Sequence, residues 1–506
     1  MLIVADRTNN RPRRHSTWVR ISALLWPLLA FILMPGCAHK SYSLEPLQTE
    51  LLADQAMQHF DSRTPEDSQL RDWMNRNQIA TEPWPPSTWS FEQLVWLAWY
   101  RQPALQAASA RIAAAERLPV IALQTANPAV RVTREHYRDR DGARLPIGLA
   151  IDLDIPVSTG GKRQAAADQA SVAVLQAQLD RSELALQLRA QLREQYNEWL
   201  ATQAERDLDE RERKLAHAAL ALLQQRLSVG VAGSFDVALA RDRVAQVERR
   251  LALTTLRSDE LLARLAQTCH LPTAQFARLK LADKLADKLA DKLTDKQAEE
   301  LPTLVVESAD SHRLRRQALT ERIEIKRALA NYALAEATLQ VEISRQYPDF
   351  SLRPGLRWEP SNFIWSIGAA LVLPLFNRNE AAIEAAQARR VASAQEFVAV
   401  QQRILAQLDT AVARLSQAAL DLERSAIHSQ ASQSRTAAVD KRFERGLADR
   451  LDVTLARLEA VTAARWPQQA RAEYVRRQAA LESTIGFYAG ALAQYDSSAV
   501  RAINER

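Results

Sequence analysis

Cysteine is nearly missing from this sequence: Cys37 and Cys269 are the two in 506 residues. That excludes a disulfide scaffold. Histidine is sparse and scattered, with eight residues, and the adjacent Cys269 and His270 are too few and too isolated for a metal site. Glycine stops at 12 residues, and the chain has no GxGxxG, P-loop, GxSxG or HExxH motif. No enzyme chemistry, metal or cofactor is therefore expected. The apolar run Ile21–Gly36 (ISALLWPLLAFILMPG) is too short and too badly flanked to read as a transmembrane helix. The net charge of +6 comes from basic residues interleaved with Asp and Glu. That pattern suits a solvated helical surface better than a nucleic-acid patch.

Helix formers are what is there. Ala, Leu, Gln, Arg and Glu dominate the composition. At the start, Arg11, Arg13, Arg14 and Arg20 precede the apolar run, which ends in MPGC. Residues 1–36 read as a secretory signal of lipoprotein type, with Cys37 as the expected lipidation site. The alternatives are ordinary cleavage nearby or an uncleaved anchor. Ala38, not Asp, follows Cys37, so the signal for inner-membrane retention is missing. Residues 37–90 include the Pro- and Trp-rich EPWPPSTW and read as a tether or wrapping arm.

Two stretches have the texture of strands. In LPIGLAIDLDIP, from Leu145, the residues Ile147, Leu149, Ile151, Leu153 and Ile155 alternate with Gly148, Ala150, Asp152 and Asp154. Period two over this length predicts a half-apolar strand. AVRVTREHYR (129–138) pairs with it through a turn at DRDGA. Later, DFSLRPGLRW (349–358), a turn at EPSN and FIWSIGAALVLP (363–374) make a second pair. Each pair leads into a long helix. About 65 residues free of Pro and Gly run to Leu227, and a second such helix runs from about Glu380 to Phe443. Helices of that length need a partner. SVGVAGS ends the first, and SFDVALAR (234–241) restarts the chain. ERGLADR ends the second, and RLDVTLAR (450–457) restarts it 216 residues further on. The chain is thus a tandem repeat. The halves are 91–272 and 308–490, the insert 273–307 carries the LADK repeats, and 491–506 form a tail. The insert reads as an amphipathic helix or a flexible spacer.

Each half is helix, two strands, long helix, turn, helix, so two shorter helices stacked end to end match one long helix antiparallel to them. Four strands per chain cannot close a barrel, and lipid tolerates no open edge. Three chains would supply twelve strands. Ile147, Leu149, Ile151, Leu153, Trp365 and Ile367 would then face the membrane, with Trp358, Phe363 and Trp365 as an aromatic belt. A soluble sheet with one wet face fits the same alternation.

Six stretches resemble the bacterial outer-membrane efflux (TolC-like) channel proteins: RQPALQAASARIAAAE (101–116), DIPVSTGGKRQAAA (154–167), QRLSVGVAGSFDVALAR (225–241), YPDFSLRPGL (347–356), LVLPLFNRNEAAIEAAQARR (371–390) and KRFERGLADRLDVTLAR (441–457). The resemblance covers roughly 91–490. Gln102-Pro103 departs from the family's usual NP. LPLFNRN before an Ala-rich helix looks like the heavy-metal (CzcC/CusC-like) branch. The resemblance implies a mainly α protein with a transmembrane β-hairpin pair per chain. It further implies a homotrimer with a 12-stranded outer-membrane barrel continued by a periplasmic helical barrel. Its partners would be a periplasmic adaptor (membrane fusion) protein, an inner-membrane pump of the RND type and outer-membrane lipid, with no nucleic acid. The function implied is passive export of heavy-metal cations or drugs; the alternative class is a periplasmic coiled-coil adaptor or scaffold lipoprotein.

Carried over to this chain, the adaptor-contacting tips are Arg226, Val229, Gly230 and Val231 in the first half, and Arg442, Gly446 and Leu447 in the second. Gly230 and Gly446 suit a left-handed helix end. Ser234 and Asp449 are expected to cap the restarted helices, and Asp236 and Asp452 to place negative charge in their first turns. Turn and cap roles alone also account for these residues.

Overall fold

The computed structural model describes residue 43 and residues 49–77, 83–138, 144–282, 308–359 and 362–486. The expected signal, Cys37, most of the LADK insert, the DRDGA turn, the middle of EPSN and the 491–506 tail lie outside them. The chain divides into two compact units, 1–59 and 60–506. In the first, the described residues form most of helix α1 (Thr49–Asp61).

The second unit opens with α2 (Ser68–Arg76), α3 (Phe91–Arg101), α4 (Pro103–Ala115) and α5 (Arg117–Leu123). Ser90 caps α3 in a reciprocal box with Gln93. Pro103 sits at the first position of α4, where its missing N–H costs nothing. Strands β1 (Ala129–Arg138) and β2 (Arg144–Val157) lead into α6 (Lys162–Ser228), 67 residues long and about 100 Å at 1.5 Å per residue. The chain reverses into α7 (Ser234–Thr268), followed by the single turn α8 (Thr273–Phe276).

The second half repeats the order. Helices α9 (Ser308–Glu321) and α10 (Ile323–Ser344) precede β3 (Phe350–Trp358) and β4 (Phe363–Leu371). Then come α11 (Glu380–Glu444, 65 residues), α12 (Arg450–Ala463) and α13 (Arg465–Thr484). Two helices expected as single rods are broken. Arg322 is extended (φ −63°, ψ 139°) between α9 and α10, its guanidinium paired with Glu324 and bonded to Gln407 at 2.8 Å. Ala464 separates α12 from α13, and Pro467 falls in the first turn of α13, where proline is tolerated.

Packing follows the expected antiparallel scheme. α6 lies against α3, α4 and α5 along one part and α7 along another, and α11 lies against α9, α10, α12 and α13. The halves interlock because α10, α12 and α13 also pack on α6.

Part of the stretch read as a tether is instead core. Leu70, Met74, Trp89 and Phe91 are buried with Leu192, Tyr196, Leu265, Cys269 and Phe276. Large aromatic surfaces drive this, since burying one removes on the order of 150–250 Å² from water. Trp89 also forms a two-residue parallel bridge with Leu281: its N–H donates to the Lys280 carbonyl (2.8 Å) and its carbonyl accepts from Ala282 (2.8 Å). Burial pushes the Cys269 thiol up to about 12, so it is inert.

The strands form one antiparallel sheet in the order β1-β2-β3-β4. The register puts Val130 and Val132 with Leu153 and Ile151, then Leu356, then Trp365 on one face. The opposite face carries Arg131, Asp152, Gly355 and Ser366 in one row, and Asp154, Arg353 and Gly368 in another.

Candidate functional site

The two turns that follow the long helices have the same backbone. Gly230 (φ +76°) and Gly446 (φ +72°) are left-handed. At the first turn, Val231 N–H donates to the Arg226 carbonyl (2.9 Å) and Gly230 N–H to Leu227 (3.0 Å). At the second, Leu447 N–H donates to Arg442 (2.8 Å) and Gly446 N–H to Phe443 (2.9 Å). These are Schellman closures, which need a residue free to adopt positive φ at their centre.

The restarts differ. Asp449 caps α12: its Oδ1 accepts from Asp452 N–H (3.0 Å), and Asp452 Oδ2 accepts from Asp449 N–H (3.0 Å). At the first restart Gly233 holds the cap position, and Ser234 is already the first helical residue without a capping bond. Ser234 as cap is therefore corrected. Asp236 supplies half the box, accepting from Gly233 N–H at 3.1 Å. Gly233 stands 216 residues before Asp449, so the cap position is the same in both halves but lacks a side chain in the first.

Arg226 forms an ion pair with Asp449, so the two turns are joined inside one chain. Around them lie apolar side chains in water: Val229 (70% exposed), Val231 (73%), Phe235 (76%) and Leu447 (65%). Single exposed apolar residues are ordinary on a protein surface; here four of them surround the joined turns. Arg442 Nη2 donates to the Leu447 carbonyl at 3.3 Å, holding the second turn. Phe235 and the Arg226–Asp449 link were not foreseen; the cue for Phe235 is an aromatic residue in an otherwise polar first turn.

On the sheet, Leu149, Ile151 and Leu153 share one face with Trp365 and Ile367, both 72% exposed. Ile147 joins that register through its pairing with His136. Trp358 packs on Phe363 at 5.3 Å between centroids. The polar face is charge-paired: Arg353 meets Asp154 at 3.3 Å, and Arg357 meets Glu135 at 3.9 Å. Gly355 is where a neighbour needs room, since a Cβ there would lie 2.3 Å from Asp152 Oδ1.

A third cluster was missed altogether. Asp209 and Glu212 of α6 are fully buried. Arg250 Nε donates to Asp209 at 2.7 Å, Arg465 to Asp209 at 2.5 Å, and Thr254 Oγ1 to Asp209 at 2.7 Å. Glu212 pairs with Arg243, Arg250 and Arg465. Burial pushes the Asp209 carboxyl up, but the bonds from Arg250, Thr254 and Arg465 outweigh it and hold the group below its usual range. The cluster locks α7 and α13 onto α6.

Among the described residues no group of His, Cys, Asp and Glu is arranged to hold a metal ion. No described helix is long and apolar enough to cross a membrane.

The family model for outer membrane efflux proteins matches residues 94–269 and 314–487. Among solved structures, the chain is similar to the outer membrane protein VceC from Vibrio cholerae: 17% identity, TM-score 0.60, covering 78% of this chain and 96% of that one. It is also similar to CusC (14%, TM-score 0.59, 78% and 92% covered), in a study of transmembrane channel formation. The open-state outer membrane channel MtrE from Neisseria gonorrhoeae is a third (16%, TM-score 0.56, 78% and 88% covered). No curated protein matches the chain. At these identities the structural matches speak to the fold.

Proposed function

The chain belongs to the outer membrane efflux protein family, a family of channel proteins and not of enzymes, and from that premise we propose that it is the outer-membrane duct of a tripartite efflux system. Three copies close a 12-stranded barrel, with the apolar face of each sheet toward lipid and the charge-paired face lining the lumen. The long helices continue the duct into the periplasm. The six turns of the trimer meet the helical tips of a periplasmic adaptor, which couples the duct to an inner-membrane pump of the RND type. Cys37 carries the lipid anchor. The cargo is a heavy-metal cation or a drug, and export is passive at this component.

One observation carries the reading: a four-stranded antiparallel sheet in the order β1-β2-β3-β4, in which β2 sets Leu149, Ile151 and Leu153 on one face and Ala150, Asp152 and Asp154 on the other. Such a sheet is finished only by further strands at both edges. Val229, Val231 and Leu447 support the docking role, because they offer exposed apolar area beside the two glycines.

The test combines location with export. The protein should fractionate with the outer membrane as a trimer, and recovery as a soluble monomer would sink the duct reading. Gly230→Glu with Gly446→Glu should block export while trimers persist, and undiminished export would discard the adaptor role. Cys37→Ser should abolish acyl labelling, and unchanged labelling would remove the anchor.

A further inference from the structure

The two halves superpose in sequence with a constant offset of 216 residues well beyond the turns. Gly230 matches Gly446, and the buried Val237, Val247 and Leu265 match the buried Val453, Ala463 and Leu481. With the same offset, Glu212 matches His428, Arg250 matches Trp466 and Arg249 matches Arg465. The place held by the Glu212–Arg250 ion pair in the first half is therefore held by a ring stack in the second. His428 and Trp466 lie with centroids 4.5 Å apart and planes 18° apart.

The two places differ in what covers them. Glu212 is completely buried because Arg465 reaches across from the second half onto the first. His428 is exposed, and Trp466 keeps 57% of its surface in water. Arg249, the counterpart of Arg465, is also exposed. Within the chain, helices of the second half cover α6, but no extended packing joins α7 to α11. Among the described residues there is thus one kind of joint, second half onto first, without an equally extended joint of first half onto second.

A ring of alternating halves needs both kinds. We infer that Arg249 of one copy reaches the neighbouring copy as Arg465 reaches Glu212 within the chain, and lays its guanidinium on the exposed His428–Trp466 stack. This rests on the trimeric reading above. The chemistry suits it: a guanidinium is planar, weakly hydrated and attracted to an indole face. His428 stacks on Trp466, which keeps 57% of its surface in water. The interface chemistry is therefore cation–π between copies where it is ionic within a copy.

The test uses the full-length protein in detergent. Arg249→Cys with His428→Cys, treated with a short bismaleimide, should give covalent dimers and trimers on a denaturing gel, while either single variant stays monomeric there. Light scattering on the same samples reports whether the protein is trimeric. Trimers without interchain cross-links would overturn the inference and leave the trimeric reading standing. Monomers by light scattering, in the unmodified protein too, would overturn both. A second readout separates contact from mere nearness. Arg249→Gln and Trp466→Leu should each lower the thermal midpoint of trimer dissociation, and the double variant should fall no further than either alone. Arg249→Lys should recover part of the loss. Additive losses would refute the cation–π contact.

Discussion

Consider Glu212→Gln against Arg465→Gln. Both break ion pairs in the same buried cluster, and a count of contacts would rank them alike. Charge balance does not. The cluster holds three guanidinium groups, Arg243, Arg250 and Arg465, against two carboxylates. Counted as ordinary ions, it carries one positive charge in excess. Glu212→Gln doubles that excess, and breaking a buried pair from one side costs about 3–5 kcal/mol. The lower end applies here, because the side chains of Arg243 and Arg250 are 39% and 37% exposed and can turn partly toward water. Arg465→Gln brings the cluster to neutrality and leaves both carboxylates paired to Arg250. Arg465 Nε is buried without an acceptor, so its loss also removes a polar atom that gains nothing. The cost then reduces to the charged hydrogen bonding of one nitrogen, Arg465 Nη2, shared between Asp209 and Glu212, about 1.5 kcal/mol. The gap of about 1.5 kcal/mol is roughly tenfold in the unfolding equilibrium. Urea unfolding of the purified protein, followed by far-UV circular dichroism, reads it as a difference in midpoint at unchanged slope. If Arg465→Gln proves equal to or worse than Glu212→Gln, charge balance is not what sets the energy of this cluster.

Asp209 gives a pH dependence with a definite sign. Its folded carboxyl lies below the ordinary value of 3.8, so its contribution is complete above that value and lost as pH falls through the folded one; the stability advantage over Asp209→Asn should hold at neutral pH and shrink only below about pH 4, and an advantage that vanishes at neutral pH would contradict the pairing. At the second turn, Gly446→Ala meets no atom within 4 Å, so only its φ of +72° resists, and the loss should be about 1–2 kcal/mol with the turn intact by hydrogen exchange. On the sheet, Gly355→Ala should cut trimer yield because its Cβ would strike Asp152, whereas Gly368→Ala, whose nearest neighbour is 3.7 Å away, should assemble normally; equal yields would mean that Asp152 moves aside freely.

The outline of the fold was legible because its signals are local. Absence of Pro and Gly marked α6 and α11, and period-two alternation marked β2. The turns were legible because glycine there has a backbone reason. What escaped depends on partners distant in sequence. The break at Arg322 has no glycine or proline of its own, and its extended residue sits against Gly486, whose Cβ would come 3.1 Å from Arg322 N. The break at Ala464 did carry a cue, Pro467, which reads as a first-turn proline once the interruption is known. Asp209 and Glu212 looked like part of a solvated charged surface. Their heptad spacing with Thr202, Ala216 and Ala219, all buried, was the signal that they lie in a seam.

The sheet has a consequence for how the protein comes into being. Among the described residues β1 and β4 are each paired on one side only, so a newly made chain carries two rows of unsatisfied backbone groups. On the trimeric reading no monomer can complete its own sheet, and folding of the strands and counting of subunits are one event. Such a protein has no stock of finished monomers to draw on. Its unassembled copies need shielding in transit, since their bare edges would pair with any extended strand they meet.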